Sequence, residues 1–453
     1  MVSDSGTASG QEAWGVVWID MTGDMQMSNM DSMERERKKR QLRERMISSS
    51  GSPDSSGRGG GRSLSEEEIV RNAERHTRRK RIRLLAAAAV LVIAAAGIFY
   101  YYFYVRRYET YKVAWERQVP ASEGGFSGYE SFGSNVLKYT KDGASYIDGK
   151  GKVVWSISYE MKSPICYVNG MYAVIADRQG NDIYICNGEG LRGQAKTTLP
   201  IMRAAVSAHG VTAALLEDST ASYITFFKED GSSLNWGIKT VMSKSGYLMD
   251  VSLSPEGTQV MVSNVYLQDA GIGNRIAFYN FSEYGKSYPD RLVGGFEEMK
   301  SSLIPRVRFL DETHACAFGN GQIGFFSLEN ETSPAMTAQF PYEEEIRSIC
   351  YSDRYVGVVV DSAQGEYDYR LDVYSASGKL KFSQPFNFQY RDIVIDADMV
   401  ILYNENSCEI YNMSGKCRFS GSFDFTFSAV RAGKMKNELI FTGGDTIRSV
   451  HLK

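Results

Sequence analysis

From about residue 130 to the C-terminus the chain repeats one pattern, a short apolar run, a turn and a second run, with a period of about 40 residues. The pairs are MYAVIAD with DIYICN, VTAALLE with SYITFFK, TQVMVSN with RIAFYNF, YVGVVVD with RLDVYS, and MVILYN with CEIYNM. The turn after the second run recurs as well. Tyr374 leads to Gly378 and Lys379, Tyr411 to Gly415 and Lys416, Phe227 to Gly231, and Tyr146 to Gly151 and Lys152. Short alternating segments separated by Gly, Asp, Asn or Ser predict antiparallel strands. One four-stranded sheet of this kind cannot bury both of its faces, whereas sheets stacked radially cover one another and leave only short edges. Counting units by their apolar runs, from NVLKYT to ELIFTG, predicts an all-β, eight-bladed β-propeller. A spacing of about 54 residues near 257–311 leaves seven blades, or two smaller β-domains, open. The last unit stops one strand short, after Thr446 to His451. The segment Val113 to Val119 precedes the first repeat and is expected to pair with the C-terminal strands and close the ring.

Ahead of the repeat lies a run of about 22 uncharged, mostly apolar residues, Leu84 to Val105, which as a helix reaches roughly 33 Å and so spans a hydrocarbon core. Arg71, Arg75, Arg78, Arg79, Lys80, Arg81 and Arg83 precede it, against Arg106, Arg107, Lys112 and Arg117 after it. That excess predicts a single-pass cell-membrane protein with a cytoplasmic N-terminus and an extracytoplasmic propeller. A cleaved signal peptide is the competing expectation, since Ala94, Ala95 and Ala96 offer small residues to a peptidase. Against it, Ile98 to Tyr104 prolongs the apolar run and adds an aromatic belt. The expected division is a disordered cytoplasmic tail at 1–65, a basic juxtamembrane helix at 66–83, a transmembrane helix at 84–105 and the propeller at 106–453. Ser, Gly and charge dominate the tail, where Trp14 and Trp18 form an isolated apolar island. Ser65 with Glu68 fits a capping box that starts the helix.

Residues 1–83 carry a formal charge of +3 and the remainder −6. A mildly acidic propeller argues against nucleic acid as its partner, since phosphate binding needs a basic face. Gly188-Glu189-Gly190-Leu191-Arg192-Gly193 matches GxGxxG, yet the chain continues through Thr197, Thr198 and Pro200 into another strand. A hairpin turn is expected there, not the helix start that a pyrophosphate needs. His76, His209, His314 and His451 are scattered, Asp396 and Asp398 form an isolated pair, and no CxxC, HExxH, Walker loop or nucleophile elbow occurs. No catalytic residue, metal ligand or cofactor is assigned, although propeller glycosidases assemble carboxylates from different blades and spacing does not reveal such pairs. The six cysteines are Cys166, Cys186, Cys316, Cys350, Cys408 and Cys417, all after the apolar run. Cys408 and Cys417 flank the turn at Ser414 and Gly415, either as small core residues or as a pair across neighbouring strands. Turns between second and third strands gather on one face of a propeller, and loops on a rigid scaffold often carry function. They supply the candidate partner-binding residues: Asp177, Arg178, Asp218, Asp269, Asn274, Glu366, Tyr367 and Asn404.

Leu253-Ser254-Pro255-Glu256-Gly257, followed by a strand, is similar to the Ser-Pro-Asp-Gly turn of WD-repeat-like propellers. Gly151-Lys152-Val153-Val154-Trp155 resembles the Gly-Lys-x-x-Trp strand of quinoprotein-type repeats. With only Trp115, Trp155 and Trp236 after the apolar run, the tryptophan-rich centre of a quinone dehydrogenase is not expected. The whole arrangement resembles an uncharacterised family of membrane-anchored propeller proteins from Gram-positive bacteria, which implies a fold and no activity. The expected role is a binding or scaffold module for an envelope protein or wall component. An extracytoplasmic glycan-active enzyme and a small-ligand sensor are the alternatives.

Overall fold

The computed structural model describes residues 66–101, 106–119, 126–133, 135–243, 245–268, 271–363 and 365–453, with isolated positions 37, 40, 41 and 44. Trp14, Trp18, the Ser65 cap, residues 102–105 of the apolar run and Asp269 lie outside them. Helix α1 runs Glu66–Tyr100. Three glutamates open it, at the end where backbone N–H groups lack partners and the helix dipole is positive. Within it, Ile82–Tyr100 has a mean hydropathy of 2.4 over 19 residues, long and apolar enough to cross a membrane, and none of it is buried.

Beyond the helix, the described residues form eight four-stranded antiparallel sheets, the eight blades that the repeat predicts. Blades 1 to 7 follow chain order at 128–158, 164–196, 201–241, 247–296, 306–341, 346–386 and 392–422. Blade 8 combines 429–452 with Tyr111–Gln118 from the other end of the propeller. First strands of most consecutive blades lie against one another around the axis. The long spacing near 257–311 belongs to blade 4. Its second and third strands, Gln259–Gln268 and Gly271–Asn280, are ten residues each, and two 3-10 turns, Tyr284–Ser287 and Pro289–Arg291, follow them.

Eight hydrophobic clusters hold the ring, one at each seam between neighbouring blades. The second strands show how. Ala173 and Ile175 pack towards blade 1 while Val174 and Ala176 pack towards blade 3. Val356, Val358 and Val360 face blade 5 and Val359 faces blade 7. Because side chains alternate sides and both sides are covered, these strands read as continuous apolar runs. Strict alternation survives in outermost strands such as Val153–Ser158 and Ala335–Pro341.

The recurring Gly sits in the turn between third and fourth strands. Gly151, Gly231, Gly378 and Gly415 have φ between 75° and 83°, a left-handed backbone that a Cβ would strain. At Gly415 and Gly151 the Asn or Asp three residues earlier sets the turn. Asn412 Oδ1 accepts from the Ser414 and Lys416 amides at 3.0 Å, and Asp148 Oδ1 from those of Lys150 and Lys152 at 2.8 and 2.9 Å. The GxGxxG segment is a hairpin, as Thr197, Thr198 and Pro200 after it predict, and Gly190–Lys196 is the outer strand of blade 2. Cys408 stands opposite Gly421 and Cys417 opposite Tyr411, so the two do not face each other, and all six cysteines are free thiols.

Tyr111–Gln118 pairs antiparallel with Thr446–Leu452, from Tyr111 opposite Leu452 to Gln118 opposite Thr446, with a bulge between Val113 and Trp115. Backbone bonds extend the seam at both ends: Lys453 N donates to Thr110 O at 2.8 Å and Val119 N to Asp445 O at 2.8 Å. The connection from blade 7 to blade 8 packs beside it as a knot of rings, Phe423, Phe425 and Phe427 around Phe441.

Candidate functional site

Antiparallel blades put first–second and third–fourth turns on one face of the ring. Second–third turns share the opposite face with the connections between blades. The sequence placed its candidate residues on that opposite face, and the structure gives most of them structural work. Asp177 is buried, and its Oδ1 accepts the Ser163 amide at 2.8 Å. Asp218 accepts from the Thr220 amide at 2.6 Å, the Thr220 hydroxyl at 2.9 Å, the Ala221 amide at 2.8 Å and the Tyr223 hydroxyl at 3.0 Å. These bonds, that of the Thr220 amide foremost, hold its carboxyl down at about 2. Asn404 Oδ1 accepts the Asn406 and Ser407 amides at 3.1 and 2.8 Å, and its Nδ2 donates to Gln389 O at 3.1 Å. Asn274 is not in a turn at all: it lies in a strand opposite Val265 with 1 % exposure, because blade 4 continues its pairing beyond the point where the sequence suggests a loop. Arg178 and Glu366 are exposed and Tyr367 is half-buried. Arg178 stands on the second–third turn of blade 2, and Glu366 and Tyr367 on that of blade 6.

Two features escaped sequence reasoning. On the second–third face, the blade 4 hairpin outruns its sheet. Tyr247–Leu253 pairs only as far as Val265, and Leu292–Phe296 only with Ile276 to Tyr279. Beyond them the ribbon is two-stranded, with Leu267 opposite Ile272 and the two side chains 87 % and 65 % exposed. Second and third strands of the other blades are five to seven residues long. The signal was present in Tyr266-Leu267 and Gly271-Ile272, apolar residues flanking a turn on the solvent side.

The second feature is the axial channel. A cavity of about 580 Å³ there is lined by Glu130, Tyr167, Arg306, Arg308, Tyr351 and Asp396 among others. It comes mainly from first strands and first–second turns. Arg308 of blade 5 crosses the ring: its Nη2 donates to Val168 O of blade 2 at 3.4 Å, and its guanidinium lies 5.2 Å from the Tyr351 ring of blade 6. Arg431 stands 3.9 Å from Glu130. Asp250 accepts the Val307 amide at 2.9 Å and faces Arg306 at 3.5 Å, stitching blade 4 to blade 5. Asp396 accepts the Ala432 amide at 2.9 Å and stitches blade 7 to blade 8. Positive and negative groups alternate around the axis, and among the described residues no group of three His, Cys, Asp or Glu side chains is placed to hold a metal ion. The only sequence hint was charge at alternate positions of short first strands, Arg306 and Arg308 above all.

Burial pushes the Glu130 carboxyl up, against the pull of Arg431 and Arg308. A carboxyl raised in the fold weakens stability above its folded pKa, and that loss fades as the pH falls and the group protonates. Glu130→Gln is therefore expected to raise the melting temperature near neutral pH, by the order of 1 °C. The gain should shrink on acidification. A gain that persists at the acid end would sink this account.

A family model described as a family of unknown function (DUF5711) matches residues 104–452. The chain belongs to that family. No curated protein matches the chain. Among solved structures, the DUF5711 chain is similar to the computationally designed Ika8 protein at 10% identity and a TM-score of 0.50, covering 77% of this chain and 100% of that one. It is also similar to BamB from Moraxella catarrhalis (11% identity, TM-score 0.46, 76% of this chain and 100% of that one). A third is the Pan2 WD40 domain of Neurospora crassa (7% identity, TM-score 0.40, 76% and 95%). At such identities the likeness to Ika8 shows the propeller fold and nothing finer.

Proposed function

We propose that this DUF5711 protein is a single-pass, membrane-anchored binding module that presents its propeller outside the cytoplasmic membrane to an envelope protein or wall component. The apolar helix segment Ile82–Tyr100 and the basic residues before it support the anchor and its orientation. The observation that carries the binding role is the blade 4 ribbon. A two-stranded ribbon is marginal in water, and burying a Leu or Ile side chain is worth about 1.5–3 kcal/mol. Leu267 and Ile272 forgo that gain within this chain, and a partner's surface would recover it. BamB and WD40 propellers are similar in fold, but the binding role rests on the ribbon.

The test uses the full chain in its native membrane. In-cell cross-linking with a Leu267→Asp, Ile272→Asp double variant should lose the partners that the unaltered chain recovers. Its thermal melting should stay within about 1 °C, since neither side chain packs on the propeller. Recovery of the same partners would refute the ribbon's role. A reporter active only outside the cytoplasm, fused after Lys453, should give signal, and a cytoplasmic result would overturn the topology.

One observation favours a second reading as a glycan-active enzyme. Glu130 and Asp396 line the same axial cavity, and burial raises both carboxyls, as a general acid needs. Hydrolysis of a wall glycan, abolished by Glu130→Gln and by Asp396→Asn, would establish it.

A further inference from the structure

The chain that leaves the apolar helix is fixed on the propeller at Tyr108. Its side chain is buried, its amide donates to Arg418 O at 2.7 Å, and the Arg418 guanidinium lies 5.2 Å from its ring. Arg418 stands near the start of Cys417–Ser422, the outer strand of blade 7, and Glu109 N donates to Lys453 O of blade 8 at 2.9 Å. Both contacts lie on the face that carries the first–second and third–fourth turns. Eight residue steps separate Tyr108 from Tyr100, the end of α1, and reach at most about 29 Å. A bilayer crossed by α1 is therefore within reach of this face.

Residues 84–453 are acidic overall, yet the charges on this face separate by sector. In the turns of blades 3 to 5, Glu229, Asp230, Glu256, Glu312, Glu329 and Glu331 outnumber Lys228, Lys286 and Arg291. In blades 6 to 8, around the place where Tyr108 docks, the turns and strand starts carry Lys379, Lys381, Lys416, Lys434 and Lys436, all exposed. Two carboxylates of that sector, Asp353 and Asp398, are answered by Arg354 at 3.9 and 2.7 Å. Glu109 adds an exposed carboxylate at its edge.

Two of the basic segments place an exposed apolar side chain between two lysines. Leu380, 49 % exposed, stands between Lys379 and Lys381, and Met435, 54 % exposed, between Lys434 and Lys436. Lys381 of blade 6 and Lys436 of blade 8 line one cavity of about 320 Å³, with Met413 and Ser414 of the blade 7 turn in the same lining. Segments from three consecutive blades thus converge beside the docked Tyr108. A free anion or an acidic peptide would use the cations alone. A bilayer surface meets both kinds of group, phosphates taking the ammonium heads and the region beneath them taking the apolar side chains and lysine stems.

We propose that the blade 6–8 sector of this face docks on an anionic phospholipid bilayer, with the five lysines on lipid phosphates and Leu380 and Met435 entering the interface. The inference rests on the membrane anchor proposed above, though not on its orientation. It leaves the blade 4 ribbon, on the opposite face, open to a partner.

The full chain would be reconstituted in nanodiscs of phosphatidylcholine alone or with about one third phosphatidylglycerol. Its lysines would then be acetylated by a water-soluble reagent and read by mass spectrometry. Lys379, Lys416 and Lys434 should react several-fold more slowly in the anionic disc, while Lys228 and Lys286 react alike in both. Raising the salt to about 0.5 M should erase most of the difference, since attraction to the headgroups is screened. In a Lys381→Gln, Lys436→Gln double variant, Lys416 should lose most of its protection, and protection that survives counts against the proposal. Equal rates in the two discs overturn it and leave the sector to an acidic protein. Equal slowing by about 10 mM inorganic phosphate in the phosphatidylcholine disc also overturns it, because an anion site indifferent to lipid would explain the lysines. A chain that co-elutes with neither disc refutes the anchor and this inference with it, whereas co-elution with equal rates refutes the docking alone.

Discussion

Deleting Tyr111–Gln118 is expected to abolish the cooperative unfolding of the propeller. Seven residue pairs join this strand to Thr446–Leu452, and its loss turns an inner strand of blade 8 into an open edge. At about 1 kcal/mol for each backbone hydrogen bond, the pairing alone is comparable to the whole stability of a domain, about 5–15 kcal/mol. Side chains add to it. Trp115 packs at the seam between blades 8 and 1, and Glu116 pairs with Arg448 at 2.9 Å. Tyr111 lies 4.7 Å from Phe423, and its hydroxyl donates to Asp424 at 2.7 Å. Scanning calorimetry of the full chain and the deletion variant decides the matter. An unchanged transition would mean that the ring does not depend on this strand.

Phe441→Ala should be the most damaging single substitution at the same closure. The ring is 1 % exposed and sits 4.6 Å from both Phe423 and Phe427, with Phe425 at 5.4 Å. Truncating a buried phenylalanine costs about 3–5 kcal/mol, and the upper half of that range applies where neighbours cannot collapse into the gap. Here they cannot easily do so, because Phe423 and Phe427 belong to a short connection anchored at both ends: Phe423 N donates to Asn406 O at 2.7 Å and Phe427 N to Glu405 O at 2.9 Å. Phe425→Ala is the contrast. That ring is half-buried under the Arg448 guanidinium at 4.7 Å, and its loss should cost about 1–2 kcal/mol. Urea midpoints at constant slope would report both values. A cost below about 1 kcal/mol for Phe441→Ala would show that the knot is not what holds blades 7 and 8 together.

Sequence periodicity was enough for the architecture because a propeller is a local repeat. Each blade is made from consecutive strands, so the turn glycines at 151, 231, 378 and 415 and the apolar second strands carry the same instruction every time. The candidate site was much less legible. Asp218 and Asn404 look like free polar groups on loops, yet an Asp or Asn in a tight turn serves its own backbone first, and Asp177 holds the Ser163 amide of the connection from blade 1. Asn274 was misplaced because Gly271 and Gly273 resemble a turn, while the strand pairing continues through them. Glu130, Arg308 and Arg431 come from blades 1, 5 and 8, and nothing local in the chain relates them.

The sequence by itself thus determined an eight-bladed all-β ring and one helix apolar enough for a membrane, since both follow from patterns within a few tens of residues. Only the tertiary structure decided how far the blade 4 ribbon reaches into solvent and which charges meet on the axis. Those depend on side chains from separate blades approaching one another, and that approach is set by how the blades pack, not by the repeat within any one of them.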